Sequence, residues 1–366
     1  MSHSWATKIL RERKFHHILR LMGATRDLDE RLADQARQSI LTAEGSEHQR
    51  LRRLVSPAFT PKQADKLRPF MASTINSLID AVAADSDVNG RRHCEVVAEI
   101  CEPYPIPIIC ELLGAPVADL DKFSTWATGV ISGLDRDAND KIDNILACRE
   151  ALEEYVVELI ARRRSEPRDD LLTVLIQAEE QGDRLSEVEL VTMVEAVLVA
   201  GVDTTRNQLG CAVALLAERP EVWKQLAEDP DIAPTVVDEV MRYIGAIRGT
   251  GRYASEDVVI DDIAFPQGTI IMVSFVAGNY DSEAFASPGT FDIEQHATDS
   301  QHLSFGSGIH FCLGSFLAKA ELQVALPILA RRMPNMALAK PVEWKSAQVT
   351  VWGPERLEVT FDTTTG

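Results

Sequence analysis

Residues 305–314 read Phe305-Gly306-Ser307-Gly308-Ile309-His310-Phe311-Cys312-Leu313-Gly314, and the rest of the chain is best read outward from this loop. Glycines at 306, 308 and 314 permit backbone conformations and close approaches that a Cβ would block. A helical apolar pattern follows over 313–332, which puts Cys312 at a helix start, where N–H groups converge and a thiol's pKa is lowered. A cysteine so placed is expected to be a thiolate and a ligand for iron or a soft metal. The other five cysteines, at 94, 101, 110, 148 and 211, lie in apolar contexts and read as small buried hydrophobes. No Cys-x-x-Cys pair occurs, which excludes zinc ribbons, thioredoxin-like redox sites and covalent haem attachment. No disulfide framework is expected in a chain this long.

The chain has 366 residues, 37 Lys+Arg against 56 Asp+Glu and a formal net charge of −19. Its 45% apolar and 25% charged content is ordinary for a globular protein and excludes disorder as the main state. The acidic balance argues against a nucleic-acid partner and against electrostatic attachment to anionic lipid. No apolar run reaches bilayer length. The opening MSHSWATKILRERKFHH carries cations but no apolar core or cleavage site, so no signal peptide is expected and the protein reads as cytoplasmic.

Helical periodicity dominates. It predicts helices over 47–56, 62–84, 95–113, 117–132, 139–164, 171–180 and 234–243. The longest starts at Ser186, whose Ser186-Glu187-Val188-Glu189 is a capping box, and runs to Pro220. Apolar almost all round, it is expected to be a buried central helix. Ala200-Gly201-Val202-Asp203-Thr204-Thr205 interrupts it with poor helix formers. Short β-like runs occupy 252–275 and 347–361, and 284–311 is a long irregular stretch of the kind usually kept for function. The fold class is mainly α: one α-rich domain over residues 1–366 with small β-sheets.

The cysteine loop resembles the haem-binding signature of the cytochrome P450 family, Phe-Gly-x-Gly-x-His-x-Cys-x-Gly, at all six specified positions. Three further motifs fall in the family's order. Glu239-Val240-Met241-Arg242 is similar to its Glu-x-x-Arg, a spacing that puts both side chains on one helix face. Ala200-Gly201-Val202-Asp203-Thr204 resembles its oxygen-activating segment, and His48 and Arg52 its His-x-x-x-Arg pair. The resemblance implies a haem b (iron protoporphyrin IX) lying between the central helix and the cysteine loop with its last helix. Cys312 would be the iron ligand, and the haem would be otherwise non-covalent. His48, Arg52, Arg252 and His310 would hold its propionates; Ala200, Gly201, Phe305, Gly306 and Gly314 would lie against it. Asp203 and Thr204 would relay protons. Ala196, Val199, Ile247, Arg248 and Val351 would face the substrate, with Arg248 a possible anchor for a carboxylate, and Glu239–Arg242 would be a structural ion pair.

By the same resemblance the reaction is monooxygenation: one atom of O2 enters a small or medium organic substrate, with electrons from a separate ferredoxin and its NAD(P)H reductase. Arg50, Arg53, Lys62 and Lys66 form a basic cluster able to steer an acidic donor. The alternatives are peroxide-driven oxidation or rearrangement on the same haem, disfavoured by the Asp203-Thr204 pair, and a non-catalytic haem binder or sensor. Two departures stand out. Gln295 occupies the place of an arginine that completes the family's Glu-x-x-Arg triad, and Gly278-Asn279-Tyr280-Asp281 replaces a more usual Ala-Asn-Arg-Asp. Weaker anchoring of this region and lower haem retention are expected. The N-terminus also looks shortened beside the family.

Overall fold

The computed structural model describes residues 2–21, 39–83, 91–132, 138–180, 185–294, 301–346 and 351–362. The chain begins with α1 (His3–Arg11), β1 (Phe15–His17), α2 (Gly45–Val55), α3 (Pro61–Ala83) and β2 (Arg92–Glu95). Then come α4 (Pro105–Leu113), α5 (Leu120–Ile131), α6 (Ile142–Ser165), α7 (Leu171–Glu180), α8 (Glu187–Ala217), α9 (Pro220–Glu228) and α10 (Ala233–Tyr243). The small strands β3 (Gly249–Ala254), β4 (Val258–Ile260), β5 (Ile263–Phe265) and β6 (Ile270–Ser274) precede α11 (Phe275–Asn279) and α12 (Ser315–Arg332). Strands β7 (Ala337–Leu338), β8 (Glu343–Trp344), β9 (Pro354–Arg356) and β10 (Glu358–Phe361) close the described chain.

The capping box forms as expected: Ser186 Oγ accepts from the Glu189 N–H, and the Glu189 carboxylate accepts from the Ser186 N–H. From it α8 runs 31 residues, about 46 Å at ~1.5 Å per residue. The expected interruption at Ala200–Thr205 does not break this helix, because burial on most sides outweighs local propensity. It marks instead the place where the helix opens. Val199, Gly201 and Thr204 are half-buried and Ala200 is exposed, whereas the neighbouring turns are packed. A Cβ on Gly201 would lie 2.4 Å from Ile109 Cδ1, so glycine here admits α4 against the helix. The helix expected over 95–113 divides into β2, a π-type turn (Val97–Cys101) and α4. Pro103 and Pro105 remove the N–H groups a continuous helix would need, and Gly114 at φ 76° ends α4.

The largest core surrounds α8, with α4, α5 and α6 against it and α3, α9 and α10 on α12. A smaller cluster of Ala6, Ile9, Leu10, Phe15, Val273 and Phe275 joins α1 to the antiparallel sheet β1-β3-β6. In that sheet His17 stands opposite Arg252. Strands β2-β10-β7 form a second sheet, while β4-β5 and β8-β9 are two-stranded. Of the expected β tail over 347–361, β9 and β10 are observed and 347–350 lie outside the described residues.

Candidate functional site

Gly306 and Gly308 adopt φ 71° and 75°, the left-handed region that favours glycine. Their turns fold the loop back so that the Cys312 N–H donates to Phe305 O at 2.9 Å and the Phe311 N–H to Gly308 O at 3.1 Å. Arg52 reaches across from α2, donating to Ile309 O at 3.2 Å and Phe311 O at 2.6 Å. Cys312 is exposed, and the other five cysteines are buried and free. Packing of the loop around the sulfur pushes the Cys312 thiol above its ordinary value, against the opposing pull of the Gly314 N–H and the Arg52 guanidinium. The lowered thiol pKa expected from the helix start is therefore not found in the protein alone, because desolvation outweighs the amide field.

Beside the loop, basic groups from four elements converge. His48 on α2 packs ring to ring with His310, 4.4 Å between centroids, and His17 on β1 lies 5.8 Å from His310. Arg252 is 3% exposed and donates to Thr250 Oγ1 at 3.1 Å and Gly251 O at 3.0 Å, not to a carboxylate. One acid sits among them: Glu44 Oε1 accepts from the His17 N–H at 2.7 Å and lies 3.0 Å from His310 Nε2. Burial works to raise the Glu44 carboxyl, but these hydrogen bonds hold it below its ordinary value.

Burial first, then the neighbouring cations, push His17 down to about 3 and His48 to about 4. Burial pushes Arg252 down to about 10. In each case burial disfavours the charged form more than the nearby Glu44 carboxylate favours it. His48 Nδ1 is buried without a hydrogen-bond partner. A cradle of two arginines and three histidines around one carboxylate, with an orphaned ring nitrogen, fits a dianionic group.

On α8 the open positions Ala200 and Thr204 are one turn apart, and the Thr204 hydroxyl donates to Ala200 O at 2.7 Å. Asp203, 6% exposed, faces another way: its Oδ1 accepts from Arg206 Nε at 2.6 Å and Asn207 Nδ2 at 3.1 Å. Lys345 donates to Asn207 Oδ1 at 2.8 Å, so the acid is linked to the tail hairpin. Ala196 is buried, and Val199, Ile247 and Val351 are half-buried. The Arg248 guanidinium stacks on the Trp352 indole at 4.6 Å, and Trp352 stacks on Trp344 at 4.5 Å with 7° between planes.

Apart from the cradle, Arg242 donates to both Glu239 oxygens, at 2.7 and 2.6 Å, and to the carbonyls of Asn279, Pro288 and Thr290 at 3.0, 2.8 and 2.9 Å. The Gly278–Asp281 stretch, expected to be weakly anchored, is tied down. Asn279 Oδ1 accepts from the Leu303 N–H at 2.7 Å, and the Tyr280 hydroxyl donates to Tyr243 O at 2.9 Å. Gln295 lies outside the described residues. Sequence reading missed His17 and Glu44; the only trace of them was the His16-His17 pair, whose meaning depends on which strand β1 joins.

The cytochrome P450 family model matches residues 109–333. The chain belongs to the cytochrome P450 family. It is similar to the mycinamicin IV hydroxylase/epoxidase of Micromonospora griseorubida, 37% identical over 345 residues, which are 92% of this chain and 83% of that protein. It is 35% identical over 325 residues to the 6-deoxyerythronolide B hydroxylase of Saccharopolyspora erythraea, covering 88% of this chain and 77% of that protein. The crystal structure of P450BioI with a hexadecenoic acid-ligated acyl carrier protein superposes with a TM-score of 0.88 at 30% identity, covering 98% of this chain and 91% of that one. This P450 is thus a monooxygenase, an oxidoreductase of the haem-thiolate class. Among the described residues, no helix of the P450 is long and apolar enough to cross a membrane.

Proposed function

We propose that this P450 binds haem b through Cys312 and inserts one atom of O2 into a small or medium organic substrate, with electrons from a separate ferredoxin and its NAD(P)H reductase. In this reading the whole chain acts as one domain, since the residues gripping the cofactor run from His48 to Cys312. The observation that carries it is the cradle: two arginines and three histidines around one carboxylate, with His48 Nδ1 unpartnered among the described residues, next to an exposed cysteine. Cys312 would ligate the iron, while His48, Arg52, Arg252 and His310, joined by His17, would take the propionates. Phe305, Gly306 and Gly314 would line the cysteine side, and Ala200 and Gly201 the α8 side. When bound, the haem supplies dioxygen binding and O–O cleavage, assisted by electron donation from sulfur.

The protein's own part is to orient, exclude water and deliver protons. Thr204 presents its hydroxyl on the open face of α8, where a rotation away from Ala200 O frees its proton. Asp203, held by Arg206 and Asn207, would collect protons from the side of Lys345 and pass them to Thr204. Ala196, Val199, Ile247 and Val351 give the substrate an apolar wall. Arg248, committed to Trp352, supports a structural role better than a carboxylate anchor. In the basic cluster, Arg50 pairs with Glu189 and Lys66 with Asp169 at 3.0 Å, while Arg53 and Lys62 are exposed; the cluster as a whole would steer an acidic donor.

The reduced, carbon-monoxide-bound spectrum tests the ligand: a thiolate-type Soret band is expected, and a haem-loaded protein without it refutes the assignment of Cys312. Turnover with ferredoxin and reductase, lost in Thr204→Ala while peroxide-driven turnover survives, tests the proton route. Equal loss of both would exclude it.

A further inference from the structure

The face of α1 turned toward the cysteine loop carries His3, Thr7 and Arg11 at successive i,i+4 positions. Opposite stand Gln301, Ser307 and Phe311, and a cavity of about 580 Å³ lies between the two walls. Among the described residues, no aspartate or glutamate lines it. Arg11 Nε donates to Ser307 Oγ at 3.0 Å, which occupies a lone pair of that hydroxyl and leaves its proton without an acceptor among the described residues. Ser307 is 8% exposed. Arg11 is exposed, and its terminal N–H groups have no protein acceptor among the described residues. Thr7 Oγ1 is buried and has no hydrogen-bond partner among the described residues. The nearby acids are already engaged. Asp281 accepts from the His3 N–H at 2.7 Å and the Glu283 N–H at 3.0 Å, and Asp238 is bound by Lys319 at 2.7 Å. The cavity therefore gathers three donor side chains, one guanidinium and two hydroxyls, and among the described residues no competing anion lines it.

We propose that this cavity is a binding site for a small free oxyanion of the phosphate class, separate from the cofactor cradle. A guanidinium fork with two hydroxyl donors matches a ligand whose oxygens only accept. An uncharged donor-bearing ligand would leave the same groups unsatisfied, and a cation would meet Arg11. Bound there, the anion bridges α1 to the Gly306–Gly308 turn and braces the loop that carries Cys312 from behind.

The test is isothermal titration of the haem-loaded protein with inorganic phosphate at constant ionic strength, chloride serving as the balancing anion. Saturable binding is expected at one site, weakened at least tenfold in Arg11→Gln and severalfold in Thr7→Val, with Arg11→Lys closer to the parent. Thr7→Val removes one hydroxyl at nearly constant volume, so it carries the test should Arg11→Gln fail to load haem. Absence of saturable phosphate binding in the parent, or equal affinity in parent and Thr7→Val, overturns the proposal. So does a result in which Arg11→Gln weakens only the association of an acidic ferredoxin and leaves phosphate binding unchanged or undetected.

Discussion

Replacing Arg242 by methionine keeps most of the side-chain volume and removes every hydrogen bond the guanidinium makes. Arg242 and Glu239 have side chains only 2% and 1% exposed, so the carboxylate left behind cannot recruit bulk water. Its remaining partner is the Asp292 N–H at 2.9 Å. Breaking a buried pair from one side costs about 3–5 kcal/mol, most of it the stranded charge. With a guanidinium m-value of about 5 kcal/mol/M, the unfolding midpoint should fall by about 0.6–1 M. The double variant Glu239→Leu/Arg242→Met strands no charge, so it should be at least ~2 kcal/mol better than the sum of the two single losses. Equilibrium unfolding followed by far-ultraviolet circular dichroism measures all three. A loss below about 1 kcal/mol for Arg242→Met, or strict additivity in the cycle, would show that the loop carbonyls of Asn279, Pro288 and Thr290 do not depend on this arginine.

Arg52→Ala removes two charged donors from the cysteine loop, worth about 2–3 kcal/mol together, and should speed haem loss to a scavenger by roughly 30- to 150-fold. An unchanged rate would mean the loop holds its shape without α2. Gly308→Ala adds a Cβ 2.4 Å from Leu10 O at a φ of 75°, so amide exchange at Ile9 and Leu10 should accelerate as α1 is pushed away. Glu195 on α8 lies 3.9 Å from Arg149 on α6, and burial raises it from 4.5 to about 7. The folded protein thus keeps a proton that the unfolded chain releases, and stability should decline as pH rises from about 4.5 to about 7, by up to about 3 kcal/mol. Unfolding measured across that window should show a flatter profile in Glu195→Gln.

Much of this could be read locally. The glycine pattern around Cys312, the Ser186–Glu189 capping box and the Glu239–Arg242 spacing each fit within ten residues, and each has the expected geometry. What escaped reading depends on contacts distant in sequence. His17 joins the cradle only because β1 pairs with β3, and Glu44 because α2 starts beside His310. Arg248 looked available to a substrate until the tail returned to lay Trp352 on it. At Cys312 the helix-start argument gave the wrong direction for the thiol, since it counted the nearby amides and not the desolvation. At Ala200–Thr205 the run of poor helix formers stays helical, as the reading of one helix from Ser186 to Pro220 expects, because the surroundings of α8 supply what the local sequence does not.

The cradle also bears on how this protein comes to be folded at all. Arg52 and Arg252 are brought toward one another with three imidazoles, and burial lowers the proton affinity of both arginines and of His17 and His48. With one carboxylate, Glu44, among them, the two buried guanidiniums are only partly compensated, so on the proposed reading part of the cofactor's binding free energy would be spent on completing the fold. Haem would then act as a folding ligand whose free concentration, measured against its dissociation constant, adds to the stability of the chain. A cell short of haem would hold less of this protein folded, before any question of catalysis arises.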